Sequence, residues 1–81
     1  MTSFTVATFA RYAEVMGATT LRVDLREPAT VADLIHALRS LPGGDVLPAD
    51  PLLAVNLRQA VGTTPIASTD QLALLPPLAG G

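Results

Sequence analysis

Hydrophobic and polar residues alternate from Ser3 to Phe9, with Phe4 and Val6 on one face and Thr5, Ala7 and Phe9 on the other. A period of two predicts a strand with one buried face, so Phe9 lies on the opposite face or turns at the strand end. The period changes at Ala10. Tyr12, Val15 and Met16 stand at helical spacing, and Gly17 suits the left-handed position after a short helix. Alternation returns from Thr19 to Leu25, where Leu21, Val23 and Leu25 face one way and Thr20, Arg22 and Asp24 the other. These two strands predict a hairpin joined by the short helix.

Thr30 followed by Asp33 has the spacing of a capping box. Val31, Leu34, Ile35, Leu38 and Leu41 then mark one stripe of one helix, stopped by Pro42-Gly43-Gly44. Residues 42–51 are rich in Pro and Gly and read as a loop. Leu52 to Leu57 is short and mostly apolar, as in a strand buried on much of both faces. Arg58 to Pro65 suits a turn and a short strand. Ser68-Thr69-Asp70 reads as a turn ahead of the last strand, Leu72 to Leu75.

One amphipathic helix over such strands predicts an α+β fold, the ubiquitin-like β-grasp, with a mixed sheet of roughly four or five strands. A ferredoxin-like arrangement would need a second long helix, which the pattern does not supply. Residues 1–75 are expected to form one domain and residues 76–81 an extended tail. In that tail Pro76 and Pro77 are stiff, while Gly80 and Gly81 have no side chain to obstruct a narrow passage. Six extended residues reach about 20 Å at most, so the tail delivers the Gly81 carboxylate away from the body.

The 81 residues are 49% hydrophobic but only 4% aromatic, so the core must be built from Leu, Val, Ile and Ala. A core of that size leaves no room for a buried cofactor pocket. The net charge is −2, with five arginines, no lysine and no basic cluster. That balance argues against nucleic acid and against anionic membranes as partners. Without lysine, no ε-amine on the chain could capture an activated Gly81. Without cysteine, disulfides, thiolate metal sites and cysteine nucleophiles are excluded. No secretory leader and no long apolar span are recognisable, and a cytoplasmic protein is expected.

Side-chain chemistry is sparse. His36 is the only histidine and falls opposite the apolar helix stripe, as an exposed residue would. The acidic residues are scattered over caps, turns and a polar strand face, with no pair of defined role. Ser and Thr residues lack a nucleophile setting, and Gly43-Gly44 is too short for a phosphate loop. The candidate site is therefore the tail: Pro76, Pro77, Leu78, Ala79, Gly80 and above all Gly81. Beside it, an exposed patch of Leu75, Ala73 and Phe9, extended by Leu57 or Leu52 according to register, would dock a partner. Phe9 and Leu75 are its expected centre.

Leu74-Leu75-Pro76-Pro77-Leu78-Ala79-Gly80-Gly81 resembles the C-terminal signature of the MoaD family, the small sulfur-carrier subunits of molybdopterin synthase. Val6-Ala7-Thr8-Phe9-Ala10-Arg11 resembles the family's first strand, Thr30-Val31-Ala32-Asp33-Leu34 its helix start, and Leu53-Ala54-Val55-Asn56 its Val-Asn strand. One turn departs: the family's acidic Asp-Gly-Asp-Glu-like stretch reads Ser68-Thr69-Asp70-Gln71 here.

The resemblance implies a carrier, not an enzyme by itself. An adenylating enzyme similar to MoeB would use ATP and Mg²⁺ to convert the Gly81 carboxylate to an acyl-adenylate. Sulfur from a sulfurtransferase or cysteine desulfurase would displace AMP and leave a thiocarboxylate. The tail would then enter a MoaE-like large subunit, which holds the active site, and give its sulfur to cyclic pyranopterin monophosphate in molybdenum cofactor biosynthesis. A heterotetramer of two small and two large subunits is implied, with no cofactor bound to the carrier itself. The alternatives are a ThiS-like carrier for thiazole synthesis, another Gly-Gly carrier for amino-acid or tRNA thiolation, a ubiquitin-like protein modifier, and an interaction module with an inert tail. ThiS-like chains tend to be shorter and to lack the Pro-Pro pair, which leans the sequence toward molybdopterin.

Overall fold

The computed structural model describes residues 1–76. Its elements in chain order are β1 (Thr2–Thr8), α1 (Ala10–Met16), β2 (Thr20–Leu25), β3 (Ala29–Thr30), α2 (Val31–Arg39), β4 (Leu52–Val55), β5 (Arg58–Gln59), β6 (Pro65–Ile66) and β7 (Leu72–Leu75), with a 3-10 turn at Gly44–Val46. β1 and β2 pair antiparallel, with Phe4 opposite Val23 and Val6 opposite Leu21. Phe4 and Val6 are fully buried, and Thr8 continues their face, its hydroxyl donating to the Ala18 carbonyl. The first strand stops one residue short of the expected end, because the Phe9 carbonyl already accepts from Tyr12 N–H and starts α1. α1 buries Tyr12 and closes on Gly17 at φ 74°, the left-handed position that favours glycine.

The capping box opens α2. Thr30 N–H donates to Asp33 Oδ2 at 2.9 Å, and Thr30 Oγ1 accepts from Asp33 N–H at 3.4 Å. Two further N–H groups of the first turn are satisfied by the 62–64 loop: Val31 donates to the Thr64 carbonyl and Ala32 to that of Gly62. The small β3–β6 ladder, with Ala29 opposite Ile66, fastens that loop to the helix start. The sequence pattern missed this second sheet, since two-residue strands carry no periodicity. Val31, Leu34, Ile35 and Leu38 bury the predicted stripe as far as Arg39, where α2 ends; Leu41, its expected last member, lies beyond the helix and packs half-buried against the core. The loop after α2 is not shapeless: Gly44–Val46 turns as a 3-10 helix and buries Leu47 beneath it.

The main sheet has the order β2-β1-β7-β4-β5. β7 lies at its centre, parallel to β1 and antiparallel to β4, with Leu74 beside Thr8 on one side and Leu53 on the other. Leu53, Leu72 and Leu74 join Phe4, Val6 and the α2 stripe in one core. This is the α+β, ubiquitin-like β-grasp architecture that the element order predicts.

β4 ends at Val55 rather than Leu57, because Asn56 and Leu57 both take positive φ, 52° and 73°. Two such residues make the mirror-image turn that suits a tight hairpin into β5. Asn tolerates this conformation; Leu carries a cost there. Asn56 is held from across the fold. Its N–H donates to the Gln71 carbonyl at 2.8 Å, its Oδ1 accepts from Gln71 N–H at 2.9 Å, and its Nδ2 donates to Asp70 Oδ1 at 3.0 Å. Asp70 Oδ2 in turn accepts from Ala67 N–H at 2.7 Å. The Ala67 backbone bond first, and the Asn56 side chain second, hold the Asp70 carboxyl below its ordinary value of 3.8.

Two expectations follow. A carboxyl depressed in the fold contributes stability above its unfolded value, and that contribution is lost as pH falls through the folded value. Thermal melts taken from about pH 6 to about pH 2 should therefore show an acid-side loss, starting near 3.8, that Asp70→Asn diminishes. Equal acid sensitivity in both proteins would contradict it. At Gly44 an added Cβ would strike the Leu38 carbonyl and the Arg39 backbone. Gly44→Ala should cost roughly 2 kcal/mol in denaturant unfolding, since the backbone at the end of α2 must move.

Candidate functional site

The last described strand, β7, lies in the middle of the sheet. Because β7 is central, its last residue, Leu75, has neighbours on both sides. Leu52 faces it directly in β4, and continuing the β1–β7 register by one residue brings Phe9 alongside. Pro76 follows, half-buried. Pro77, Leu78, Ala79, Gly80 and Gly81, the rest of the candidate tail, lie outside the described residues.

Leu75, Leu52 and Phe9 lie on the sheet face opposite α2. Odd positions of β1 and β7 and even positions of β2 and β4 point there, away from the buried Phe4, Val6, Leu53, Leu72 and Leu74. One row across the sheet reads Thr20, Ala7, Ala73, Ala54, Gln59. The next row is Phe9, Leu75, Leu52. Three small residues thus form a smooth floor, and three large apolar ones a ridge at the end of β7. Phe9 is 48% exposed, and Leu75 and Leu52 are half-buried. Around them Thr5, Arg22, Gln59 and Gln71 are exposed polar residues, the usual surround of a docking patch.

Register decides between the two leucines left open by the sequence. Leu52 belongs to the ridge. Leu57 is 82% exposed, but it sits in the turn beyond Val55, beside the start of β7 rather than its end. The alanine floor could not be read as one feature from the sequence. Ala7, Ala54 and Ala73 each occupy an outward position of its own strand, but nothing local says that the three strands are neighbours.

Phe9 also stands where a polar residue would serve the helix better. It is the N-cap of α1 and makes no side-chain cap bond, and Ala10 beside it takes φ 51°. A bulky apolar cap followed by a left-handed alanine is locally unfavourable, and such strain gathers at functional positions. The other candidates lie elsewhere. His36 is exposed on α2, beside a groove of about 420 Å³ between that helix and the end of β2. That groove is separated from β7 by β1.

Phe9→Ser supplies the missing cap and should raise the melting temperature, by an amount reflecting up to about 1 kcal/mol. A clear fall would show instead that Phe9 is retained for packing.

None of the curated protein sequences matches this chain. Among solved structures, SAMP1 from Haloferax volcanii is 32% identical over 99% of this chain and 100% of its own, with a TM-score of 0.82. A putative molybdopterin converting factor subunit 1 from Pyrococcus furiosus shares the fold at 22% identity, covering 96% of this chain and all of its own, with a TM-score of 0.81. The complex of subunits 1 and 2 of molybdopterin-converting factor from Helicobacter pylori contains a chain of the same fold, 20% identical over 99% of this one and 100% of that one, with a TM-score of 0.69. The ThiS family pattern matches residues 6–81, from the middle of β1 through Gly80-Gly81, and the chain belongs to the ThiS family.

Proposed function

We propose that this protein is a sulfur carrier whose working group is the Gly81 carboxylate, and that it serves as the small subunit of a molybdopterin synthase. The observation that carries the reading is the family match running through residue 81, joined to a central strand that ends beside an apolar ridge. A carboxylate does not accept sulfur directly. Adenylation by a MoeB-like enzyme with ATP and Mg²⁺ releases pyrophosphate and installs AMP as a leaving group. The outer sulfur of a persulfide, from a sulfurtransferase or cysteine desulfurase, attacks the acyl carbon and expels AMP. A thiol then cleaves the resulting acyl disulfide, leaving the Gly81 thiocarboxylate and a disulfide on the donor.

The chain's own contribution is placement. Gly80 and Gly81 carry no side chain to obstruct a narrow site, and the ridge of Phe9, Leu75 and Leu52 seats the enzyme that receives the terminus. In the leading reading that enzyme is a MoaE-like subunit holding the catalytic groups. Two deliveries of sulfur to cyclic pyranopterin monophosphate complete the dithiolene. The complex of subunits 1 and 2 from Helicobacter pylori, which contains a chain of this fold, supports that partner.

A second reading has its own support. The relative at 32% identity is an archaeal modifier protein by name, so Gly81 could be joined to lysines of target proteins through the same adenylate. The two readings separate by product. Intact mass of the protein from its own host, with peptide mapping, should place a sulfur-for-oxygen exchange on the C-terminal peptide, and loss of Gly80-Gly81 should abolish it. Isopeptide conjugates carrying the Gly81 end, without a thiocarboxylate, would favour the modifier. A terminus that remains an ordinary carboxylate under every activating condition would overturn both.

A further inference from the structure

β2 forms one margin of the main sheet, and among the described residues no strand pairs with its outer side. A six-residue edge presents free backbone donors and acceptors, a template for another strand. The opposite margin, β5, has only two residues.

The β1–β2 ladder tells which groups face outward. Thr8 N–H donates to the Thr19 carbonyl, so Thr8 and Thr19 form a hydrogen-bonded pair. Such pairs alternate along an antiparallel ladder, so Leu21, Val23 and Leu25 turn their backbone groups toward β1. Thr20, Arg22 and Asp24 aim theirs at the free edge.

The side chains of this edge complement themselves. Leu21-Arg22-Val23-Asp24-Leu25 reads apolar, basic, apolar, acidic, apolar, with Val23 at its centre. Turn a second copy about an axis through Val23, and Arg22 of each faces Asp24 of the other, twice, on the outer sheet face. These are the residues whose backbone groups point outward, so both charge pairs fall on hydrogen-bonded pairs. Leu21 of each copy then meets Leu25 of the other on the α2 face. There both leucines are half-exposed at the rim of the core, and the groove beside Leu25 leaves space. Ser3 Oγ already donates to Asp24 Oδ1 at 2.7 Å, which leaves Oδ2 to accept from Arg22 of the second copy.

Neighbouring registers lack this fit. Centred on Arg22, two arginines oppose each other; centred on Asp24, two aspartates do, and like charges directly across a ladder are unfavourable. We propose that two copies of this chain pair antiparallel through β2, about Val23, into one continuous sheet of twice the width. β1 separates this edge from β7, so pairing leaves the end of β7 free. The interface does not depend on what Gly81 does.

Sedimentation velocity on the full chain, from about 1 µM to about 1 mM, should show a reversible monomer–dimer equilibrium. Arg22→Glu alone and Asp24→Arg alone each place like charges together twice and should weaken the dimer about tenfold or more. The double variant R22E/D24R restores opposite charges and should return to within about threefold of the original. Circular-dichroism melts confirm that each variant is folded. In the dimer the Arg22 and Asp24 amides exchange slowly, whereas those of Leu21 and Val23 are protected at every concentration by β1. A monomer across the whole range would overturn the proposal, even if the edge then accepts a strand of a different protein. So would a double variant no better than the single ones, or fast Arg22 and Asp24 exchange at the highest concentration.

Discussion

Parallel pairing between β1 and β7 joins the two ends of the fold, with Val6 beside Leu72 and Thr8 beside Leu74. Parallel neighbours cannot be linked by a tight turn, so nearly the whole chain becomes their connection. α2 lies within that connection and covers one face of the sheet, while among the described residues the other face stays open. Closing so long a loop has an entropic cost, offset by burying Phe4, Val6, Leu72 and Leu74 together in one core. The position of β7 follows from this pairing. A strand at the margin would end at a corner, whereas this central strand ends between Phe9 and Leu52.

The turns around β7 are built to keep it there. Asn56 closes the β4–β5 hairpin in a left-handed conformation and, through three hydrogen bonds, holds Asp70 and Gln71 at the entrance to β7. One residue thereby fixes the register on which the alignment of Leu52 with Leu75 depends. Asp70, the single acid left in a turn that is more acidic in the resembling family, has a structural task at this point. Its carboxylate ties Ala67 to Asn56.

The two sheet faces divide the work. The α2 face is sealed by leucine and valine and holds the fold together. The open face is flat over Ala7, Ala54 and Ala73 and apolar at the ridge, so a partner can approach the backbone closely there. Phe9 and Ala10 mark the boundary between these demands, since the local backbone would favour a polar cap followed by glycine. The reading of this face as the seat of a receiving enzyme rests on the proposal that Gly81 carries the working group.

Local physics made much of this legible in the sequence. The strand alternation of β1 and β2, the Thr30–Asp33 capping box, the stripe of α2, Gly17 and the β7 run all act within a few residues, and each element is found, with β1 and α2 stopping short of Phe9 and Leu41. From those elements the β-grasp could be inferred, and the Gly-Gly ending named the candidate chemistry. Tertiary structure alone decided the rest. It placed Leu52 and not Leu57 beside Leu75, assembled three separate alanines into one floor, bent Asn56-Leu57 out of a strand, and paired β3 with β6. Each of these depends on which strands become neighbours and in what register, and residues far apart in the chain set that jointly, so no local window contains it.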